Sequence, residues 1–127
     1  MSQILEELIG IEEKCAEAFN KKKLDELLGY FSDDISGFSS TDYDRFMGKA
    51  ELKKTFEYYL AEADTLSYEI FDPSASQFGD TAILSFYWRV ILKTGSKRLE
   101  IPGRGTHVFY QKAGNWQIVH EHFSRAH

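Results

Sequence analysis

The chain has 127 residues, of which 43% are hydrophobic and 15% aromatic, a globular composition at the size of one domain. Twenty acidic and fifteen basic residues give a net charge of −5, which excludes a nucleic acid as the expected partner because its phosphates repel an acidic protein. Cys15 is the only cysteine, so an internal disulfide and a thiolate metal cluster are excluded.

The N-terminal segment lacks the basic start and continuous apolar run of a secretory signal peptide. No segment approaches the roughly 20 apolar residues that a membrane-spanning helix requires. We therefore expect a cytoplasmic protein without a membrane partner, and the sequence suggests no metal or other cofactor.

The first half of the chain has helical periodicity. Ile4, Leu8, Ile11 and Cys15 recur at the spacing of one helix face, which predicts an amphipathic first helix. The predicted elements are, in order, helices over 2–21 and 24–31, a polar helix stop over 32–34, a strand over 35–39, a polar loop over 41–48 and a helix that ends near residue 63.

After residue 64 the period changes to two, which is typical of strands. Leu66, Tyr68 and Ile70 alternate with polar residues before Asp72-Pro73, which predicts a bend or break. Pro102-Gly103 predicts a bulge inside a later strand. The predicted strands of this half cover 66–70, 81–93, 99–112 and 116–124.

Helices followed by long antiparallel strands predict an α+β fold, with a single domain over 1–127. Within the strand over 81–93, one set of alternating residues is entirely apolar and must face the helices. The other set contains Tyr87 and is too aromatic for a plain solvent face, so it predicts a partner surface. The apolar set is Leu84, Phe86, Trp88, Val90 and Leu92.

The register of the last hairpin decides which histidines share a face. A two-residue turn at Ala113-Gly114 would place Ala113 at positive φ, which is unfavourable. A three-residue loop with Gly114 in the left-handed conformation is therefore predicted. In that register, or in one shifted by one residue in the loop, His107 and Glu121 share a face, opposite or diagonal to each other. Phe109, Val119 and Phe123 lie on the same face.

His107 and Glu121 are the candidate pocket residues, and Trp88 is the expected wall. A lone buried carboxylate is costly, and an imidazole could share its proton or charge. The pair could act as a general acid or base, or could orient a polar ligand group. It could equally be two core side chains that satisfy each other. The predicted pocket residues are Trp88, His107, Phe109, Glu121 and Phe123.

The opposite face carries His120 and His122, two residues apart on one strand. Two such histidines can bind a metal, but a zinc site needs a third protein ligand and the sequence offers none nearby. We therefore expect no metal and predict a dimer interface on this face. Its predicted residues are Tyr87, Arg104, Thr106, His120, His122 and Ser124.

Three segments resemble the nuclear transport factor 2-like superfamily. They are 23–34, which resembles a helix-turn-strand entry, 47–52, in which a glycine opens the third helix, and 104–109 with 114–124, the last hairpin. The hairpin is similar to the SnoaL-like branch, which includes ketosteroid isomerase relatives, and to the association domain of calcium/calmodulin-dependent protein kinase II.

This resemblance implies a cone-shaped, cystatin-like antiparallel sheet wrapped around the long first helix, a pocket inside the cone and a homodimer through the outer sheet face. It also implies that Ser39 stands where ketosteroid isomerase has its aspartate base, and Cys15 where that enzyme has a tyrosine donor. No aspartate follows Asp80, so neither the isomerase mechanism nor that of limonene-epoxide hydrolases is expected.

Three functions remain open at this point. The first is a homodimeric domain that binds a small apolar or mixed-polarity molecule in a mostly apolar pocket. The second is an isomerase, cyclase or dehydratase that transfers protons through His107 and Glu121. The third is a non-catalytic oligomerisation domain.

Overall fold

The computed structural model of the chain describes residues 3–125. Met1, Ser2, Ala126 and His127 lie outside the described residues, and with them the predicted first residue of the first helix. The elements are α1 (Gln3–Asn20), α2 (Leu24–Leu28), β1 (Phe31–Phe38), β2 (Phe46–Met47), α3 (Lys49–Leu60), β3 (Thr65–Phe78), β4 (Thr81–Thr94), β5 (Lys97–Lys112) and β6 (Asn115–Ser124). Within this range no helix is long and apolar enough to cross a membrane.

The six strands form one curved, open sheet in the order β2-β1-β6-β5-β4-β3. Neighbouring strands are antiparallel except β1 and β6, which run parallel. The α+β class, with the sheet around the N-terminal helix, is confirmed. The core lies between α1 and the inner face of the sheet, where most of the large apolar side chains are buried.

Helix α1 presents one stripe of side chains to this core. Leu8, Cys15 and Phe19 recur at helical spacing and are buried, as the apolar periodicity predicted. Glu12 occupies the same stripe and is equally buried. A carboxylate at this depth requires a partner.

Strand β4 alternates as predicted. Leu84, Phe86, Trp88 and Val90 are buried on the inner face, whereas Tyr87 is 48% exposed on the outer one. At Asp72-Pro73, where a bend or break was predicted, β3 is irregular but not broken: its pairing with β4 shifts between Phe71 and Ser74, and the strand continues to Phe78.

The boundary between α2 and β1 differs from the prediction. The polar run 32–34 does not stop a helix but lies inside β1, and the helix ends three residues earlier. The Tyr30 N–H bonds to the carbonyl of Leu27, while the Tyr30 carbonyl already accepts the N–H of Ile118 on β6. Pairing with β6 therefore outweighs the turn preference of the polar residues.

The predicted bulge at Pro102-Gly103 is wrong, because β4 and β5 stay in register through this point. Gly103 pairs with Trp88, and a Cβ at Gly103 would lie 2.0 Å from the Trp88 ring. The glycine provides space for the indole rather than an irregularity in the strand.

The β5–β6 turn also differs from the prediction. Lys112 pairs with Asn115, so the turn has two residues, and Ala113 (φ 53°) and Gly114 (φ 78°) both have positive φ. A turn of this type matches the twist of the flanking strands. That match outweighs the cost of about 1–2 kcal/mol of placing an alanine in the left-handed region.

A bulge further along β6 then shifts the register by one. Phe109 pairs with Ile118, but Val108 pairs with His120, which leaves Val119 as the extra residue. Ile118, not Val119, is therefore the buried neighbour of Phe109.

Candidate functional site

His107 lies at the centre of a buried three-residue cluster. Its Nε2 bonds to Glu121 Oε1 at 2.7 Å, and its Nδ1 bonds to Glu12 Oε2 on α1. All three side chains are almost fully buried. The cluster therefore links two strands of the sheet to the helix that the sheet surrounds.

The two carboxylates determine the charge of the imidazole. Burial alone lowers the pKa of His107, but the charges and hydrogen bonds of Glu12 and Glu121 outweigh burial and raise it to about 10. His107 is therefore an imidazolium at neutral pH, and both of its N–H groups donate to carboxylates.

The register of β6 brings Glu121 to His107. If the two-residue turn continued without a bulge, His107 would pair with His120. The extra residue Val119 moves the pairing by one position, so Glu121 turns inward and His120 outward. The predicted proximity of His107 and Glu121 is present, but it arises from the bulge rather than from a longer loop.

The sequence-based prediction missed Glu12. Its position carried a signal, because residue 12 lies four positions after Leu8 and three before Cys15 in the apolar stripe of α1. A charged residue in such a stripe indicates a buried partner elsewhere in the fold. Which partner it meets depends on how α1 lies across the sheet.

A cavity of about 60 Å³ adjoins the cluster. At about 30 Å³ per water molecule, it holds roughly two waters or a group of similar size. Its lining is mostly apolar. The lining residues are Glu12, Cys15, Phe19, Leu27, Phe31, Ser39, Ser40, Thr55, Phe56, Tyr59, Tyr68, Trp88, Val90, His107, Glu121 and Phe123.

Four of the five predicted pocket residues line this cavity. Trp88 is fixed by its indole N–H, which donates to the Arg104 carbonyl at 2.9 Å, and by Phe123, which stacks on it. Phe109 is the exception. It is fully buried and its ring lies 6.0 Å from that of His107, but it supports the imidazole from outside the cavity.

Two further lining residues carry polar groups that remain protonated. Burial, together with the charges of Glu12 and Glu121, raises the pKa of the Cys15 thiol well above its usual range. The same causes, with burial the largest, raise the pKa of the Tyr68 hydroxyl. Cys15 and Ser39, the two positions that the resemblance matched to catalytic groups, both line the cavity.

The segment after β1 and the helix α3 both contribute to the lining of the cavity, through Ser39, Ser40, Thr55, Phe56 and Tyr59. The hydroxyls of Ser40 and Tyr59 bond to each other, which connects this segment to α3. Within the segment, the hydroxyls of Ser39 and Thr41 lie 3.2 Å apart.

The residues predicted for a dimer interface share the outer sheet face. Tyr87 pairs with Arg104, Arg104 with Ser124, and Thr106 with His122. His120 is adjacent, on the next row.

The two outer histidines have separate neighbours. His120 Nδ1 lies 3.2 Å from Ser36 Oγ, and burial followed by the nearby charge of His122 lowers the His120 pKa. The His122 ring contacts Phe38 at 5.3 Å. Within residues 3–125 no group of three or more His, Cys, Asp or Glu side chains is placed to bind a metal ion.

A curved sheet around an N-terminal helix, with a cavity between them, defines the nuclear transport factor 2-like class of folds. Residues 11–127 match the SnoaL-like domain family, and the chain belongs to that family. No curated protein matches the chain.

Solved structures show the same fold. A nuclear transport factor 2-like protein of unknown function from Pseudomonas putida is 22% identical, with a TM-score of 0.83 over 98% of this chain and 88% of that one. A proposed calcium/calmodulin-dependent protein kinase II association domain from Xanthomonas campestris is 16% identical, with 0.83 over 94% and 86%. A proposed dehydratase of the same superfamily from Streptomyces avermitilis is 15% identical, with 0.83 over 96% and 95%. At these identities the likeness shows the fold alone.

Proposed function

We propose that the protein binds a small molecule in the cavity between α1 and the sheet, with its polar group against the His107 cluster. The observation that carries the proposal is an ionic cluster of three buried side chains that also lines a mostly apolar cavity. Binding pockets combine apolar walls with a few convergent polar groups in this way.

The geometry favours binding over a base role for His107. A general base at neutral pH needs a pKa near the working pH, and the pKa of His107 is about 10. Its two N–H groups are also occupied by carboxylates. The cluster is therefore suited to holding a ligand through charge and hydrogen bonds.

A thermal-shift screen against small molecules of graded size and charge tests this function. A ligand at one hundred times its dissociation constant stabilises the fold by about 2.7 kcal/mol. In Val90→Phe the added ring fills part of the cavity and should abolish the shift. Ile83→Phe, on the outer face of the same strand, is the matched control and should retain it. Ligands that stabilise both variants equally bind elsewhere, which would refute the proposal.

Proton transfer, as in an isomerase, cyclase or dehydratase, is the second candidate. It is favoured by one observation: a protonated imidazole bonds to Glu121 inside the cavity, so an acid and a carboxylate lie side by side. His107 would serve as the acid and a carboxylate as the base. With a panel of small ketones in deuterated water, proton NMR would measure how fast the C–H protons next to the carbonyl exchange for deuterium. Equal exchange with wild type and Glu121→Gln would exclude this role.

A homodimer through the outer sheet face is part of the proposal. Phe71 and Tyr87 stack there at 5.9 Å while each remains more than 40% exposed, and Met47 and Ile83 are exposed on the same face. Exposed apolar surface of this kind is typical of an interface. Light scattering should give twice the chain mass, and Tyr87→Glu should shift it to the monomer. A monomeric wild type would contradict the dimer, and a larger ring would favour an assembly role.

We also propose a cytoplasmic setting, which the absence of any second cysteine supports.

A further inference from the structure

The wall of the cavity has a part that is fixed by backbone pairing. Every lining residue that belongs to a strand lies in a ladder of the sheet, as Tyr68 does opposite Val90. Asn20 of α1 fixes the β3 side further, because its side-chain amide donates to the Tyr68 carbonyl and accepts the Tyr68 N–H. This part of the wall cannot move without breaking backbone hydrogen bonds of the sheet.

A second part of the wall lies outside the sheet. It consists of one residue after β1 and three residues of α3, which are Ser40, Thr55, Phe56 and Tyr59. All four are half-buried, whereas the residues that line the same cavity from α1 are buried. Their additional exposure is therefore to solvent. Tyr68 and Phe123 are half-buried as well, but both belong to the fixed part.

Helix α3 is anchored at its N-terminal end. The Gly48 N–H bonds to the Ile35 carbonyl on β1 at 2.7 Å. Leu52 is the one buried residue over 49–60, a range that the structure describes completely. The second half of α3 therefore has no buried anchor, and residues 61–64 behind it form neither helix nor strand. Segments with little buried apolar surface open at a lower free energy than the core does.

Two kinds of contact hold the second half of α3 against the rest of the fold. The Phe56 ring lies 5.9 Å from the rings of both Phe19 and Phe31. The Tyr59 hydroxyl bonds to the hydroxyl of Ser40. Apolar ring contacts are tolerant of small shifts, whereas a hydrogen bond weakens steeply outside a narrow range of distance and angle. The bond between Ser40 and Tyr59 therefore fixes the position of the helix.

We infer that the second half of α3 is a gate through which the cavity exchanges its contents with solvent, and that the hydrogen bond between Ser40 and Tyr59 is the latch of this gate. When the bond breaks, residues 55–60 move outward about the anchored end at Gly48 and Leu52. The sheet and α1 keep their positions, so a small molecule enters or leaves without global unfolding. The inference concerns access to the cavity and goes beyond the proposed binding function.

Cys15 reports on the gate because it is the only cysteine of the chain and lines the cavity. The small thiol reagent methyl methanethiosulfonate is added to the full-length protein, and the modification is followed by mass spectrometry. The buried thiol cannot react while the gate is closed, so the rate measures how often the cavity is open. Urea unfolding gives the unfolded fraction of each variant, and the modification that occurs through global unfolding is subtracted.

Tyr59→Phe removes the latch hydroxyl and keeps the ring. It should raise the modification rate about fivefold, the factor expected for the loss of one ordinary hydrogen bond. Ser40→Ala should have the same effect, and the double variant should react no faster than either single variant because both changes break one bond. Tyr58→Phe, which removes an exposed hydroxyl from the adjacent position of α3, is the matched control and should leave the rate unchanged.

Four results would overturn the inference. They are a rate that neither Tyr59→Phe nor Ser40→Ala changes, an equal acceleration in Tyr58→Phe, additive effects in the double variant, and an acceleration that only matches the rise in the unfolded fraction.

If the variants do not fold, amide hydrogen exchange of the wild type decides. The amides of residues 56–60 should exchange faster than those of β4 and with little dependence on urea, and exchange of both segments at one rate would contradict the gate. No ligand enters these experiments, so their failure leaves the proposed binding function to the screen with Val90→Phe.

Discussion

Replacing Glu12 with glutamine should change both the stability of the protein and its dependence on pH. The amide retains the size of the side chain and an oxygen that accepts the His107 N–H, but it removes one of the two charges that hold the imidazolium. Breaking a buried ion pair in this way costs about 3 kcal/mol. We expect a loss of that order in the free energy of unfolding near pH 7.

The pH dependence follows from the pKa of His107, which is 6.5 for an ordinary histidine and about 10 in the fold. Because the folded value is the higher one, the stabilisation is complete below pH 6.5 and is lost as the pH rises toward 10. The slope rises from half of its full value at pH 6.5 to about 1.4 kcal/mol per pH unit, so the stability lost between pH 6.5 and about 8.5 sums to about 2 kcal/mol. Above that range Cys15 and Tyr68 lower the free energy of unfolding further as the pH rises, since the pKa values of both groups are also raised in the fold.

Urea unfolding followed by tryptophan fluorescence measures these quantities at several pH values from 6.5 to about 8.5. Wild-type stability should fall across the range, and Glu12→Gln should show a shallower slope, because the pKa of His107 drops when the charge is removed. Glu13→Gln should reproduce the wild-type curve. A wild-type stability that is flat over this range, or equal slopes for wild type and Glu12→Gln, would refute the reasoning.

Four further predictions concern single sites. Gly37→Ala should abolish stable folding or cost at least about 3 kcal/mol, because its Cβ would lie 1.9 Å from the Glu121 carbonyl oxygen. Gly10→Ala has open space at its Cβ and should stabilise α1 by about 0.5–1 kcal/mol in the same urea assay. The Cys15 thiol should react with a disulfide reagent at least about 100-fold more slowly in the native than in the urea-unfolded protein, since it is buried and its pKa is raised; similar rates would contradict its placement. In an NMR titration, His120 should deprotonate below pH 6.5, because burial lowers its pKa, and a midpoint above 7 would be inconsistent with its position between β1 and β5.

The site was only partly predictable from the sequence. The alternation in β4 was sufficient to place Trp88 on the inner face, because a half-buried strand must put its apolar residues on one side. The pairing of His107 with Glu121 was predicted from a loop that does not exist. It is present because the bulge at Val119 compensates for the shorter turn, and no residue type at that position distinguishes a bulged strand from a regular one.

Other features depended on contacts between distant segments. Glu12 and His107 are 95 residues apart, and only the position of α1 across the sheet brings them together. Pro102-Gly103 was interpreted as a local irregularity, although the reason for the glycine is the Trp88 ring on the neighbouring strand. In both cases the structural reason is a residue on a distant segment of the chain, which the local sequence pattern does not identify.

The sequence by itself determined the α+β class, the order of the long elements and the inner face of β4, because periodicity and the need to bury apolar surface act within a single element. Only the tertiary structure decided the bulge in β6 and the third member of the cluster around His107. Those features arise where α1 meets the sheet. There a carboxylate, an imidazole and a second carboxylate from three elements must satisfy one another away from water.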